Sequence, residues 1–367
     1  MSCAGPARVR ALSFHARYRC RDSGVCCSSG WDIPVEGVRS RVVAHDSTRR
    51  TAAGQLVLRH DAAGRCVFLE GPAGSTRCAV HRQRGPEALP SACRQFPRVS
   101  LLTPLGVSVT LSHYCPTAAA LLFEDPDGPA WIVEDAPAFP PDWPYEGLDA
   151  RQALPPLLRP GVLTSWAAHE RWEAHAIAVL TTGVPPEAAL ARLAVEAEAA
   201  RRWTPTDGDF DRFLDAVLEA GELAEPPPTR AVADLDAWDL VAATVPEGNP
   251  RPPRPTAAAG TEAVSAGWPS LRRPVGRWLA SKAFGSWLAL QGAGLRTTAL
   301  GLQVALGVLR AEAVGGCSRA GRPLDAALLQ EALRRADLLL LHLADPAALA
   351  ARLGRCESGR APATRPA

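Results

Sequence analysis

Apolar positions recur at helical spacing through the second half of the chain. Trp166–Leu180 places Trp166, His169, Trp172, Ala176 and Leu180 on one face. Pro186–Trp203 opens on a proline suited to a first helical turn and continues with Ala189, Leu190, Leu193, Ala197 and Ala200. Phe210–Leu223 repeats the pattern with Phe210, Phe213, Leu214, Val217 and Leu218. Each run matches the i, i+3, i+4, i+7 signature of an amphipathic helix. Leu235–Val245, Leu271–Leu290, Thr298–Val314 and Leu324–Leu343 predict further helices, with Gly315-Gly316 as a stop signal. On these helices His169 and His175 read as packed or partly exposed residues, and Trp278 and Trp287, near Arg277 and Lys282, as core rather than a docking face.

The first third lacks this rhythm. Strand-like pieces, Leu56–Arg59, Val67–Leu69 and Val107–Ser112, sit among turns, with one short helix predicted at Pro86–Gln95. No element before Pro116 is long enough to bury a core unaided. Proline clusters at Pro126–Pro160 and Pro246–Pro255 read as extended connectors, because proline fixes φ and removes a backbone donor. The expected organisation is a cysteine-rich region over 1–130, a connector over 131–165, helical segments over 166–245 and 258–354 joined by a linker over 246–257, and a disordered tail over 355–367. The fold class is mainly α, with an irregular, metal-stabilised N-terminal domain.

Composition narrows the partners. Of 367 residues 47% are apolar and 21% charged, which excludes wholesale disorder. Net charge is +2, so nucleic acid is not indicated. Charge is segregated, however: +6 over 1–130, −13 over 131–250 and +9 over 251–367. Opposed blocks of that size could dock electrostatically, or be solvated faces of an apolar pairing. Lys282 is the only lysine among 40 basic residues, a bias consistent with GC-rich coding. The N-terminal stretch lacks the apolar run of a signal peptide, and the apolar stretches Leu295–Leu309 and Leu338–Leu343 read as too short or interrupted for a bilayer. The expected location is the cytoplasm, away from membranes.

The cysteines carry the candidate chemistry. Cys20, Cys26, Cys27, Cys66, Cys78, Cys93 and Cys115 fall within 96 of the 367 residues. Reduced thiols clustered in this way point to metal rather than to disulfides. Zinc and iron–sulfur clusters both take thiolates, normally four per site, and such a site supplies folding energy to a region with a small core. The absence of a paired CxxC favours iron–sulfur, [4Fe–4S] first, over zinc. In extended chain the vicinal Cys26 and Cys27 point to opposite sides and so would not serve one ion. Cys20, Cys27, Cys93 and Cys115 are the leading four ligands, with Cys26, Cys66 and Cys78 as further or second-site ligands. Cys317 and Cys356 read as buried thiols, and Cys3 as part of a loose terminus.

The segments "YRCRDSGVCCSSGWDIPV", "CVFL", "RCAVHRQRGPEALPSACRQFPR" and "LSHYCPTAA" together resemble the YkgJ-type cysteine-cluster proteins, zinc- or iron-chelating, and most of all their flagellin lysine N-methylase branch. The resemblance covers about residues 14–123. The family's opening usually holds a further cysteine before the vicinal pair, where this chain has "RDSGV". The resemblance implies an iron–sulfur or zinc site and S-adenosylmethionine-dependent methyl transfer to lysines of a flagellin-like protein. No Gly-rich strand–helix turn of the dinucleotide-binding kind accompanies it. Catalytic residues are not identified by the sequence.

Arg94 and Arg98 are candidate cofactor-binding residues, able to donate to cluster sulfides or to clamp a carboxylate. His81 and His113 read first as ordinary hydrogen-bonded histidines, and Asp32 and Tyr114 as possible aids to amine deprotonation. A structural zinc module that presents a helical interaction domain is the reading from another class.

Overall fold

The computed structural model describes residues 8–21, 23–36, 45–51, 54–72, 76–124, 128–220, 234–247, 249–255 and 260–357. The N-terminal third is built on a sheet rather than on irregular loops. Strands β1 (Val9–Leu12), β2 (Arg98–Thr103), β3 (Gly106–Leu111), β4 (Ile132–Glu134) and β5 (Leu148–Asp149) lie in the order β4-β1-β3-β2-β5. β2 and β3 form an antiparallel hairpin, whereas β1 pairs in parallel with β3 and β5 in parallel with β2. The expectation of an irregular domain fails for a physical reason. The strands are two to six residues long, and the parallel partners are about a hundred residues apart for β1–β3, so no local pattern announces the pairing. Both edge strands come from 131–165, the proline-rich stretch.

Side-chain alternation gives the sheet two buried faces. On one face Val9, Ala11, Leu102, Val107, Val109 and Leu111 pack with Tyr18, Cys115 and Phe139. On the other, Arg10 reaches Glu170 and Glu173, and Leu12 joins the helical core. The cysteine loops therefore lie on one side of a scaffold that helices brace from the other.

The helices follow the periodicity closely. α1 (Ala79–Arg84), α2 (Ser91–Gln95) and α3 (Pro116–Leu121) are short; α4 (Trp166–Thr181), α5 (Pro186–Ala200), α6 (Phe210–Ala220), α7 (Asp234–Ala242) and α8 (Gly260–Gly267) come next. α9 (Arg272–Ala283), α10 (Trp287–Gln291), α11 (Leu295–Ala320), α12 (Ala326–Asp337) and α13 (Pro346–Glu357) complete the set. Three boundaries differ from expectation. The long run Leu271–Leu290 breaks at Phe284-Gly285, where the Gly285 N–H donates to Glu173 Oε1 at 2.8 Å and its φ is +60°. α11 runs through Gly315-Gly316 and stops at Gly321, φ +62°. A Cβ on Gly315 would come 3.0 Å from Pro255, so this glycine serves close packing, not termination. α12 ends in a π-helical turn, Leu338–Leu343. The tail beyond Glu357 lies outside the described residues, as do Cys3 and the side chain of Cys356.

α11 is the central helix. It is long and apolar enough to cross a bilayer, yet 72% of its apolar window is buried, against α5, α7, α8 and α12. The acidic and basic blocks meet here through apolar side chains: Leu190, Leu193 and Ala197 share one core with Leu302, Leu306 and Leu309. Ion pairs between the blocks, Arg296–Glu198, Arg310–Glu187 and Arg254–Asp239, lie at its partly exposed rim. Rim pairs of this kind contribute about 0–1 kcal/mol each. Of the two readings of the charge segregation, the apolar one describes the packing.

Sheet and helices are joined at Asp337. Its carboxylate accepts from the His113 N–H at 2.6 Å, His113 Nδ1 at 3.1 Å, Trp278 Nε1 at 2.8 Å and Lys282 Nζ at 2.6 Å. With its Nδ1–H committed to Asp337, His113 presents Nε2 as an acceptor, so His15 donates across the 3.1 Å contact. His15 Nδ1 is then left to accept from Thr110 Oγ1 at 3.5 Å. Burial lowers the pKa of both imidazoles, consistent with neutral rings.

Two outcomes are expected. Asp337→Ala strands a buried ammonium and should lower unfolding stability by about 3–5 kcal/mol in denaturant titration, whereas Asp149→Ala at the surface should leave the midpoint nearly unchanged. Small-angle scattering should give one radius of gyration from low salt to about 1 M, since the blocks are held by apolar packing rather than by screened charge.

Candidate metal centre

Gly24 sets the geometry of the cysteine loop. Its φ is +68°, and a Cβ there would collide with Thr76 Oγ1. From this left-handed position the chain enters a 3-10 turn, Val25–Cys27, instead of the extended conformation expected. The vicinal sulfurs consequently do not diverge: Cys26 Sγ and Cys27 Sγ are 4.0 Å apart, and both side chains line one cavity. The opposite-sides expectation is thereby overturned.

Cys66 is tied to this turn by its N–H, which donates to Cys27 O at 2.7 Å. Cys78 ends a two-residue strand that pairs Leu69–Glu70, and it is the N-cap of α1. Cys93 comes from α2, and Cys115 is the N-cap of α3. All seven expected cysteines, Cys20 included, line a single cavity of about 480 Å³.

The thiols fall into two groups. Cys26, Cys27 and Cys78 form a hydrogen-bonded chain, and Cys66 and Cys93 feel the charge of Cys26 and Cys78. The pKa of Cys27 is raised by hydrogen bonds to Cys26 and Cys78, while theirs are lowered by the same bonds. Cys78 is pushed down to about 6, first by Cys27, with the α1 N–H groups of Val80 and His81 adding to the effect. Burial raises Cys66 and Cys93. At the other end Tyr18 Oη lies 3.8 Å from Cys115 Sγ and hydrogen-bonds Cys20. The four leading candidates thus divide, with Cys27 and Cys93 at one end and Cys20 and Cys115 at the other. Among the described residues no three Cys, His, Asp or Glu side chains converge on a single ion position.

The lining carries Arg19, Arg77, Arg94 and Arg98 and, among the described residues, no Asp or Glu. Such a wall suits an anionic occupant, which is what a thiolate-bound metal group is. Arg94 is buried and pairs with Glu146 at 2.7 Å and Glu87 at 3.4 Å. Arg98 stacks over Trp143 at 4.6 Å. Its Nε and that of Arg94 are buried without hydrogen-bond partners among the described residues. His81 also lines the cavity, whereas His113, Asp32 and Tyr114 do not. His113 belongs to the Asp337 network, Asp32 pairs with Arg49, and Tyr114 lies under the Arg334 guanidinium. Cys317 is buried in the helical core.

Sequence reasoning missed two contributors. Trp143 and His342 carried no pattern of their own. The Trp31 ring, part of the chamber wall, stacks on His342 at 4.4 Å, and His342 Nε2 meets Ser112 Oγ at 2.7 Å. The chamber is thereby seated on the π turn of the helical part. No family model, curated protein or solved structure matches the chain.

Burial pushes the His342 imidazole down to about 4. The folded state therefore binds its proton more weakly than the unfolded chain, whose histidine titrates near ~6.5. Stability should be full above pH ~6.5 and fall towards pH ~4, with His342 accounting for up to about 3 kcal/mol of the loss. Urea unfolding of His342→Gln across that window should show a shallower slope than the parent chain; parallel curves would count against the assignment.

Proposed function

We propose that this chain binds an iron–sulfur group, [4Fe–4S] first, in the seven-cysteine chamber. One observation carries the reading: seven thiols and four arginines, without a carboxylate among the described residues, face one cavity of about 480 Å³. A single zinc ion needs four ligands about 2.3 Å from one point. Thiols spread around a chamber instead suit a polynuclear group, whose irons meet their thiolates at separated places. Cys26, Cys27, Cys66, Cys78 and Cys93 are the proposed ligand pool for that group, with Cys20 and Cys115 at the far end as further ligands. Cys78, already low in pKa, would bind as thiolate at little proton cost. When bound, the group supplies Lewis-acid or one-electron chemistry. The chain's own residues hold it and keep water from its apolar side.

A methyl transfer to a flagellin-like protein, as the resemblance implies, is proposed second. The chamber lies in the size range of small-molecule sites, leaving space for S-adenosylmethionine or another co-substrate beside the metal group.

Protein isolated without oxygen should contain iron and acid-labile sulfide near stoichiometry, with broad absorbance near ~400 nm. Cys93→Ser should lose metal and loosen the N-terminal region, because binding energy there is folding energy. Cys317→Ser should retain it. Protein free of iron and sulfide would end the iron–sulfur reading, and stoichiometric zinc would replace it with the structural-zinc alternative.

A further inference from the structure

We propose that the Arg98 end of the chamber is a binding subsite for a small organic carboxylate, clamped by the Arg98 guanidinium beside the Trp143 ring. The subsite rests on the chamber assigned above and names the occupant of the space that the five-thiol end leaves.

Arg98 opens β2, on the face of the sheet that carries Leu102 and looks towards Tyr18 and Phe139. Its guanidinium lies 4.6 Å from the Trp143 ring centroid and 5.9 Å from that of Phe139. Among the described residues an Nη donates to Ala138 O at a long 3.4 Å, and the buried Nε meets no hydrogen-bond partner. No carboxylate among the described residues pairs with it. Arg94 differs: its Nε is also orphaned, but Glu146 and Glu87 balance its charge. Among the described residues Arg98 is therefore a substantially desolvated cation with no carboxylate partner, in a wall without Asp or Glu.

Burying a charge is costly unless it is paired. A planar fork of N–H donors fits a carboxylate in two-point geometry, and stacking on Trp143 fixes the plane in which that fork lies. Tyr18, Phe96 and Trp143 give the subsite an aromatic wall, so the acid should carry an apolar or aromatic body. The metal group is the competing source of negative charge. Position sets Arg98 apart from the five-thiol end: it opens β2 and stacks on Trp143, whereas Cys26 and Cys27 stand on the turn after Gly24, Cys66 is tied to that turn, and Cys78 lies on the strand paired with Leu69–Glu70.

Titration calorimetry on the full chain, purified without oxygen, tests this with benzoate and its neutral counterpart benzamide. Benzoate should bind at least tenfold more tightly than benzamide, and Arg98→Met should abolish that preference while iron content stays at the parent level. Trp143→Leu, which leaves every charge in place, should weaken benzoate binding; it decides the matter if Arg98→Met unfolds. Equal affinity for the two probes, or benzoate binding untouched by Arg98→Met or by Trp143→Leu, would overturn the subsite. So would loss of iron from a folded Arg98→Met, since Arg98 would then be the metal group's counterion. A parent chain devoid of iron that still prefers benzoate would keep the subsite and discard the metal reading, so the two failures are separable.

Discussion

A buried carboxylate at the end of α12 ties the sheet half of this molecule to its helical half. Asp337 closes α12 and gathers two donors from His113, just past the sheet, and one each from Trp278 and Lys282 on α9. Neither the carboxylate nor the ammonium could be buried alone without a penalty of several kcal/mol, and an unpaired N–H of His113 or Trp278 would cost about 1–3 kcal/mol. Together they satisfy one another, and they fix where the helical part meets the sheet. Two residues along from His113 is Cys115, and five along from Asp337 is His342, which stacks on Trp31. The position of the chamber wall is thus inherited from the ion network beneath it.

That inheritance bears on the proposed chemistry. Loops rich in glycine and cysteine are poor at holding a shape by themselves, and a metal group with separated ligation points needs its ligands placed before it arrives or by its arrival. Here the placement is divided. Arg98 opens β2 of a sheet with two buried faces and Cys115 caps α3 just past β3, whereas Cys26, Cys27, Cys66 and Cys78 sit on short turns tied mostly to each other. The sheet end is preformed, and the five-thiol end is the part whose order would depend most on occupancy.

Much of the helical architecture was legible because amphipathic spacing is a local property. Trp166–Leu180 and Phe210–Leu218 needed no partner to reveal their buried faces. The sheet was not legible, since Val9 gains its meaning only from Val107, and Leu101 from Leu148. The candidate site shows the same division. The seven cysteines could be named from their density, but not their grouping, because the 3-10 turn after Gly24 reverses the expectation for a vicinal pair. Arg98 was visible as a candidate from its place after Cys93. Its lack of an anionic partner among the described residues was not, since that depends on what Trp143 and Phe139 bring from a distant loop.

Lys282 has a practical consequence. With one lysine in 367 residues, and that one buried in an ion pair, the folded surface displays guanidinium groups and no side-chain amines. Reagents that acylate amines would find no side-chain target on the native surface, so acylation at Lys282, read apart from the α-amine, becomes a clock for opening of the α9–α12 seam. A lysine-specific protease would likewise make one cut, after residue 282, and only in molecules whose seam has parted. The same residue that locks the core makes its unlocking countable, molecule by molecule, as two fragments on a gel.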